Sequence, residues 1–183
     1  GECEKAMKQS LADKYPEAMM HQYPTTPAFL SSGPRTLFGT QNNYGRRIRS
    51  GDSVIIMNYC LYDGYWCEIE RTVLVGKVSD KLAKMYEEMI ECRRRVIDSL
   101  YPGVVCSDVA KVAMDFYKEK GYKPLPWCGH CNGIAPHENP DIALPGFGVD
   151  VDAKLDPGMQ FCLEPHFENP GIRRSVRHSD QFI

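Results

Sequence analysis

Two β-forming runs meet across Asp63-Gly64, and this hairpin constrains the fold more than any other stretch. The first run, Val54-Ile55-Ile56-Met57-Asn58-Tyr59-Cys60-Leu61, follows the opening pair Asp52-Ser53 and is rich in β-branched and aromatic residues. The second runs from Tyr65 to Val75. Asp-Gly suits a two-residue hairpin turn because both central residues need positive φ. A chain with so local a strand pair is built on antiparallel sheet. Ala28-Phe29-Leu30-Ser31 reads as a further short strand, and 1 to about 15 as a helix. Ser32 to Arg47 reads as a polar loop with a turn at Asn42-Asn43.

Two helices follow the hairpin. Ser79 caps the first, whose apolar positions Leu82, Met85, Tyr86, Met89, Ile90, Val96, Ile97 and Leu100 keep helical spacing. Glu87, Glu88, Glu91, Arg93, Arg94 and Arg95 form its solvated face, and Pro102-Gly103 stops it. Ser107 is expected to cap the second, with Val109, Val112, Ala113, Phe116 and Tyr117 inward and Gly121 as terminator. Asp156-Pro157-Gly158 then turns into a strand from Met159 to Pro165, and Arg173 to Ile183 reads as a last strand. Helices alternating with antiparallel strands make the fold class α+β, a sheet covered by helices.

The 183 residues, 43% hydrophobic with formal charge -2, bound the function. They suffice for one domain with an ample core. The charge balance gives no electrostatic reason to bind nucleic acid or an anionic membrane, and no run approaches the ~18 apolar residues of a span. The start, Gly1-Glu2-Cys3-Glu4-Lys5, has no signal-peptide pattern. Of eight cysteines, Cys60, Cys67, Cys92 and Cys162 lie in apolar runs, so buried thiols in a reducing cytoplasm are expected.

Trp127-Cys128-Gly129-His130-Cys131-Asn132-Gly133-Ile134-Ala135-Pro136-His137-Glu138 carries the chemistry. As a disulfide-exchange motif it would need a strand before it and a helix after it. Lys123-Pro124-Leu125-Pro126 precedes and turn residues follow, so that context is missing. As a zinc knot it would need a second ligand pair, and Cys162 and His166 stand alone downstream. The remaining readings are a buried loop and the floor of a hydrolase pocket. His21 reads as a surface residue, and Trp66 and Trp127 as core or pocket wall.

Several fragments then line up in order: Ser50-Gly51-Asp52 before a strand, Tyr62-Asp63-Gly64-Tyr65 before Glu70-Arg71-Thr72, and Pro102-Gly103-Val104 between helices. Gly129-His130 precedes His137-Glu138, and Pro157-Gly158-Met159 precedes Leu163-Glu164-Pro165. Together they resemble the creatinase, prolidase and methionine aminopeptidase superfamily, peptidase M24, with its pita-bread fold. The resemblance runs from Gly1 to Ile183. It implies one catalytic-type domain over 1–183, truncated at both ends, without the usual N-terminal domain. It also implies a homodimer for the full-length protein.

The metallopeptidase members hold two divalent ions on two Asp, one His and two Glu, because four carboxylates offset the charge of the ions. Position by position, the resemblance places these on Asn58, Glu68, His130, Glu164 and Ser179. Four carboxylates become two, so a dinuclear site is not expected. No cofactor is expected beyond, at most, one Mn, Zn or Co ion on Glu68, His130 and Glu164. Creatinase works without metal, and Glu70-Arg71-Thr72 matches its Glu-Arg-Thr, where the Glu holds a guanidinium. Its base falls on Thr40 here, and its second guanidinium-binding carboxylate on His178. The expected catalytic residues are therefore His130, His137, Glu70 and Glu164, with Glu68, His166, His178 and Thr40 contacting substrate.

Three functions remain open: a creatinase-like, metal-independent hydrolase of a C–N bond in a small amidino, amide or dipeptide substrate; a metal-dependent Xaa-Pro dipeptidase or aminopeptidase with an altered site; and a family member that binds peptide or protein without cutting it.

Overall fold

The structure, a computed structural model, describes residues 2–14, 28–38 and 45–183. Helix α1 spans Glu2–Lys14, as expected. Strand β1, Ala28–Ser32, leads into a 3-10 helix, Gly33–Phe38, where the sequence suggested only loop. The Thr36 hydroxyl closes that turn by donating to the Gly33 carbonyl at 2.8 Å. The turn foreseen at Asn42-Asn43 and His21 both lie outside the described residues.

Strands β2 (Ser53–Tyr62) and β3 (Tyr65–Leu74) form the foreseen hairpin. Asp63 and Gly64 take φ of 47° and 82°, the two positive values that a tight two-residue turn demands. The ladder is in register throughout, from Tyr62 opposite Tyr65 to Ser53 opposite Leu74, and β1 adds to the far side of β2.

Helix α2 spans Asp80–Asp98, and the Ser79 hydroxyl accepts from the Leu82 amide at 3.3 Å. Leu82, Met85, Met89, Cys92 and Val96 face inward at helical spacing. Its arginines depart from a purely solvated face. Arg93 pairs with Asp180, and Arg95 lies over the Phe116 ring at 4.7 Å.

Helix α3 spans Cys106–Lys120 and starts ahead of the expected cap, so Ser107 lies within its first turn. A hydroxyl cap is not needed there. The Cys106 and Ser107 amides donate to the carbonyls of Ala153 and Val151, at 3.0 and 2.9 Å. Gly121 closes α3 in the left-handed conformation, φ 75°.

A small ladder pairs β4 (Val104–Val105) with β7 (Lys154–Leu155). The second main sheet holds β5 (Trp127–Cys131), β6 (Glu138–Ala143), β8 (Phe161–Leu163) and β11 (Asp180–Phe182), in the order β11-β8-β5-β6. Strands β9 (His166–Asn169) and β10 (Arg174–Arg177) pair beside it. The Trp127–Cys131 stretch is thus a strand, not a loop. Pro124 and Pro126 end before the ladder begins, so they cost it no hydrogen bond.

The main core lies between α2, α3 and this sheet. Phe167 of β9 packs into it, with the rings of Tyr122, Tyr117 and Phe116 meeting it edge-on at 4.5, 4.8 and 6.0 Å. Among the described residues no helix is long and apolar enough to cross a membrane.

Candidate active site

Alternation along β3 sends Glu68 and Glu70 to one face, and both are buried at 1% exposure. Residues directly opposite in an antiparallel pair share a face, so Tyr59 and Met57 stand beside them, opposite Glu68 and Glu70 respectively. Asn58 pairs with Ile69 and lies on the other face. This corrects the placement of Asn58 in the site. A one-residue shift of register reverses every side chain, and the buried neutral neighbours are Met57 and Tyr59 instead.

His130 arrives on β5 directly opposite Cys162 of β8. Gly129 permits this approach, because a Cβ there would overlap the Cys162 carbonyl oxygen. The fully buried His130 ring has Nε2 3.2 Å from Glu164 Oε1, 3.4 Å from Glu68 Oε2 and 3.2 Å from Cys162 Sγ. Its Nδ1 lies 2.8 Å from the Cys131 carbonyl, so it is the donor there. The Cys162 thiol donates to Glu164 Oε1 at 2.9 Å. His137, exposed, stacks on His130 with ring centroids 3.4 Å apart and planes at 20°. Trp127 stacks at 5.7 Å from the same imidazole.

Electrostatics sorts these groups. Burial alone would lower His130, but the hydrogen bonds and charges of Glu164 and Glu68 raise it to about 10. Burial and the charge of His130 lower His137. Burial, reinforced by the charge of Glu164, raises Glu68 and Glu70. Burial would also raise Glu164, yet His130, Cys162 and Arg177 hold it below the usual carboxylate range.

Glu70 has a partner supplied by the chain itself. Arg177 Nη1 of β10 lies 3.5 Å from Glu70 Oε1, and the two side chains are 13% and 1% exposed. Ser179 meets Glu70 only through the backbone, its amide donating to the Glu70 carbonyl at 3.1 Å. The other predicted residues are not drawn into this group. His166 Nε2 lies 3.6 Å from Glu168, and its amide donates to the Tyr117 hydroxyl at 3.2 Å. His178 Nε2 lies 3.8 Å from Asp180, and burial with the charge of Arg71 lowers it to about 4. Neither makes an ion pair or hydrogen bond with the His130 cluster. Thr40 lies outside the described residues.

The donor set decides what metal these residues fit. A two-ion centre does not fit, because the neighbours opposite Glu70 and Glu68 are the neutral Met57 and Tyr59, and Ser179 carries only a short hydroxyl where the resemblance calls for a carboxylate. A single ion does fit. Glu68, His130, Cys162 and Glu164 each offer an atom, all within 4.8 Å of one another, and all four residues are buried. Neither Glu68 oxygen has a hydrogen bond of normal geometry. The sequence reading missed Cys162. Its signal was the alternation Cys162, Glu164, which puts both on one strand face.

The chain is similar to known proteins along its length. It is 30% identical over 151 residues to the Xaa-Pro dipeptidase of Pyrococcus furiosus, covering 80% of this chain and 42% of that one. It is 27% identical over 168 residues to the creatinase of a Bacillus species, covering 87% and 39%. The chain therefore spans less than half the length of these relatives. Its fold superposes on the Xaa-Pro dipeptidase from Bacillus anthracis with a TM-score of 0.77 at 30% identity, over 86% of this chain and 43% of that one. A methionine aminopeptidase from Thermotoga maritima shares the fold, with a TM-score of 0.75 at 18% identity, over 94% and 77%. These pita-bread relatives match the α+β fold described above. The sequence profile of metallopeptidase family M24 matches residues 1–183, and the chain belongs to that family.

Proposed function

We propose that this domain hydrolyses a C–N bond in a small amide or dipeptide, without a dinuclear metal centre, and that His137, stacked on a charged His130, moves the protons. The carrying observation is that stack, set over the buried carboxylates of Glu68 and Glu164. Of two imidazoles in contact, one held charged and one held neutral, the neutral one is free to act as base and then as acid. His137, the exposed partner, takes the proton of an attacking water. His137 then passes that proton to the leaving nitrogen, while the carboxylates keep the buried His130 charged beneath it. Arg177 favours amide and dipeptide substrates over amidino ones. It already supplies Glu70 with a guanidinium, so a substrate cation would have to displace it. His166 and His178 have no part in this reading.

A second reading has its own observation, the four-donor cluster completed by Cys162. There one ion on Glu68, His130, Cys162 and Glu164 would polarise a carbonyl or acidify a water when bound. A thiolate among the donors favours zinc or cobalt over manganese.

The test uses protein purified without chelator. Elemental analysis is followed by turnover of an amide, Xaa-Pro and guanidino panel by wild type, His137→Ala and Cys162→Ser. Chelator-insensitive turnover of amides or dipeptides, lost in His137→Ala, supports the first reading. Stoichiometric zinc that Cys162→Ser removes supports the second. No turnover, with peptide binding by thermal shift, makes this a non-catalytic member of its family.

A further inference from the structure

The outer face of the hairpin carries a second pair of reactive groups, which the candidate site does not use. Cys60 of β2 and Cys67 of β3 stand directly opposite each other in the ladder, and both are half-buried. Their face is the one shared by Asn58 and Ile69, opposite to that of Tyr59 and Glu68. Directly opposed residues in an antiparallel pair have Cα atoms about 4.5–5.5 Å apart. That spacing falls inside the roughly 4.4–6.8 Å window of a disulfide, and bringing the two Cβ atoms from about 5.5 Å to the bond's roughly 3.5–4.5 Å takes only a local twist of the strand pair. Cys92, Cys106, Cys128, Cys131 and Cys162 are buried, which closes them to a dissolved oxidant.

We propose that Cys60 and Cys67 form a reversible cross-strand disulfide when the protein meets a peroxide or a glutathione-type disulfide. With hydrogen peroxide, one thiolate attacks an oxygen, giving a sulfenic acid and, after protonation, water. The second thiolate displaces the hydroxyl from that sulfur, the S–S bond forms, and a second water leaves. Two electrons pass from the sulfurs to the peroxide. With a glutathione-type disulfide, a mixed disulfide forms first and the opposed thiol expels the reduced tripeptide. The second step in each route is intramolecular, since the ladder holds the two sulfurs face to face. The bond ties β2 to β3 one residue from both Tyr59 and Glu68, so oxidation stiffens the strands that present the Glu68 carboxylate.

Mass spectrometry tests this directly. The tryptic peptide Ser50 to Arg71 contains both residues and no other cysteine. The folded protein is exposed to graded hydrogen peroxide or oxidised glutathione, alkylated and digested. The expected peptide has lost two hydrogens, resists alkylation and regains both thiols on reduction. In Cys60→Ser oxidised glutathione should leave a stable glutathione adduct on Cys67. Two thiols that still alkylate fully, or two separate adducts in the wild type, overturn the proposal.

Discussion

Replacing Arg177 by Met tests whether the chain has filled its own cation subsite. At 3.5 Å and an effective dielectric near 20, the gross attraction between Arg177 and Glu70 is about 5 kcal/mol. The measurable loss is smaller, because Glu70 can take up a proton once its partner is gone. Breaking one side of a buried pair costs roughly 3–5 kcal/mol, which is the loss expected for Arg177→Met. Glu70→Gln should cost less, since the 13% exposure of Arg177 lets water reach the stranded guanidinium. The double variant should lose less than the sum of the singles by at least about 1.5 kcal/mol. Urea denaturation followed by circular dichroism at pH 9, above the value of about 8 to which burial raises Glu70, keeps the pair charged and supplies the values, with matched m-values as the condition for comparison. A loss below about 1 kcal/mol for Arg177→Met, or additivity within about 0.5 kcal/mol, would refute the reasoning. Glu70 would then be available to a substrate cation, and amidino compounds would return to the front of the screen.

Two further predictions concern stability. Gly64→Ala should cost about 1–2 kcal/mol, read by the same denaturation. Its φ is 82° and nothing lies within 4 Å of an added Cβ, so only backbone strain contributes. Asp52 gives a pH dependence. Burial would raise its carboxyl, but Arg46 at 2.7 Å, the Arg49 amide and Arg174 outweigh burial and hold it below its ordinary 3.8. A depressed folded pKa contributes stability above the unfolded value that is lost as pH falls through the folded one. Melting temperature should therefore fall as pH drops below about 3.8, and Asp52→Asn should start lower at neutral pH and flatten that decline.

The parts of the fold written in local chemistry were legible in the sequence. Asp63-Gly64 fixed a turn, Ser79 capped a helix and Gly121 ended one, each through a few adjacent atoms. Tertiary partners were not legible. Ser107 could not be set aside as the cap of α3 without knowing that Val151 and Ala153 carbonyls would meet its first amides. The site divided the same way. Glu68, Glu70, His130, His137 and Glu164 were named from motifs, and the structure puts His130 against Glu68 and Glu164 with His137 stacked on it. Asn58 failed because strand register, which motif matching reads only to within a residue, decides which face a side chain takes. Cys162 failed because its relation to His130 is a strand pairing across 32 positions.

The strand that brings Arg177 also sets the order in which the pocket can come into being. Thr72 meets Arg177, Arg71 meets Asp180 and Glu68 meets Gln181 across separations of 105, 109 and 113 residues. Closing a loop of that length costs roughly 4 kcal/mol of chain entropy, whereas the hairpin and the α2–α3 pair close over short spans. On the ribosome, synthesis at roughly 5–20 residues per second separates Arg71 from Asp180 by about 5–20 s. For that interval the hairpin can exist while the segment that covers it does not. Glu68 and Glu70 then remain hydrated, and they are desolvated only when these long-range contacts close. The burial that perturbs their chemistry thus waits on these distant contacts, and the site forms after the hairpin that carries it.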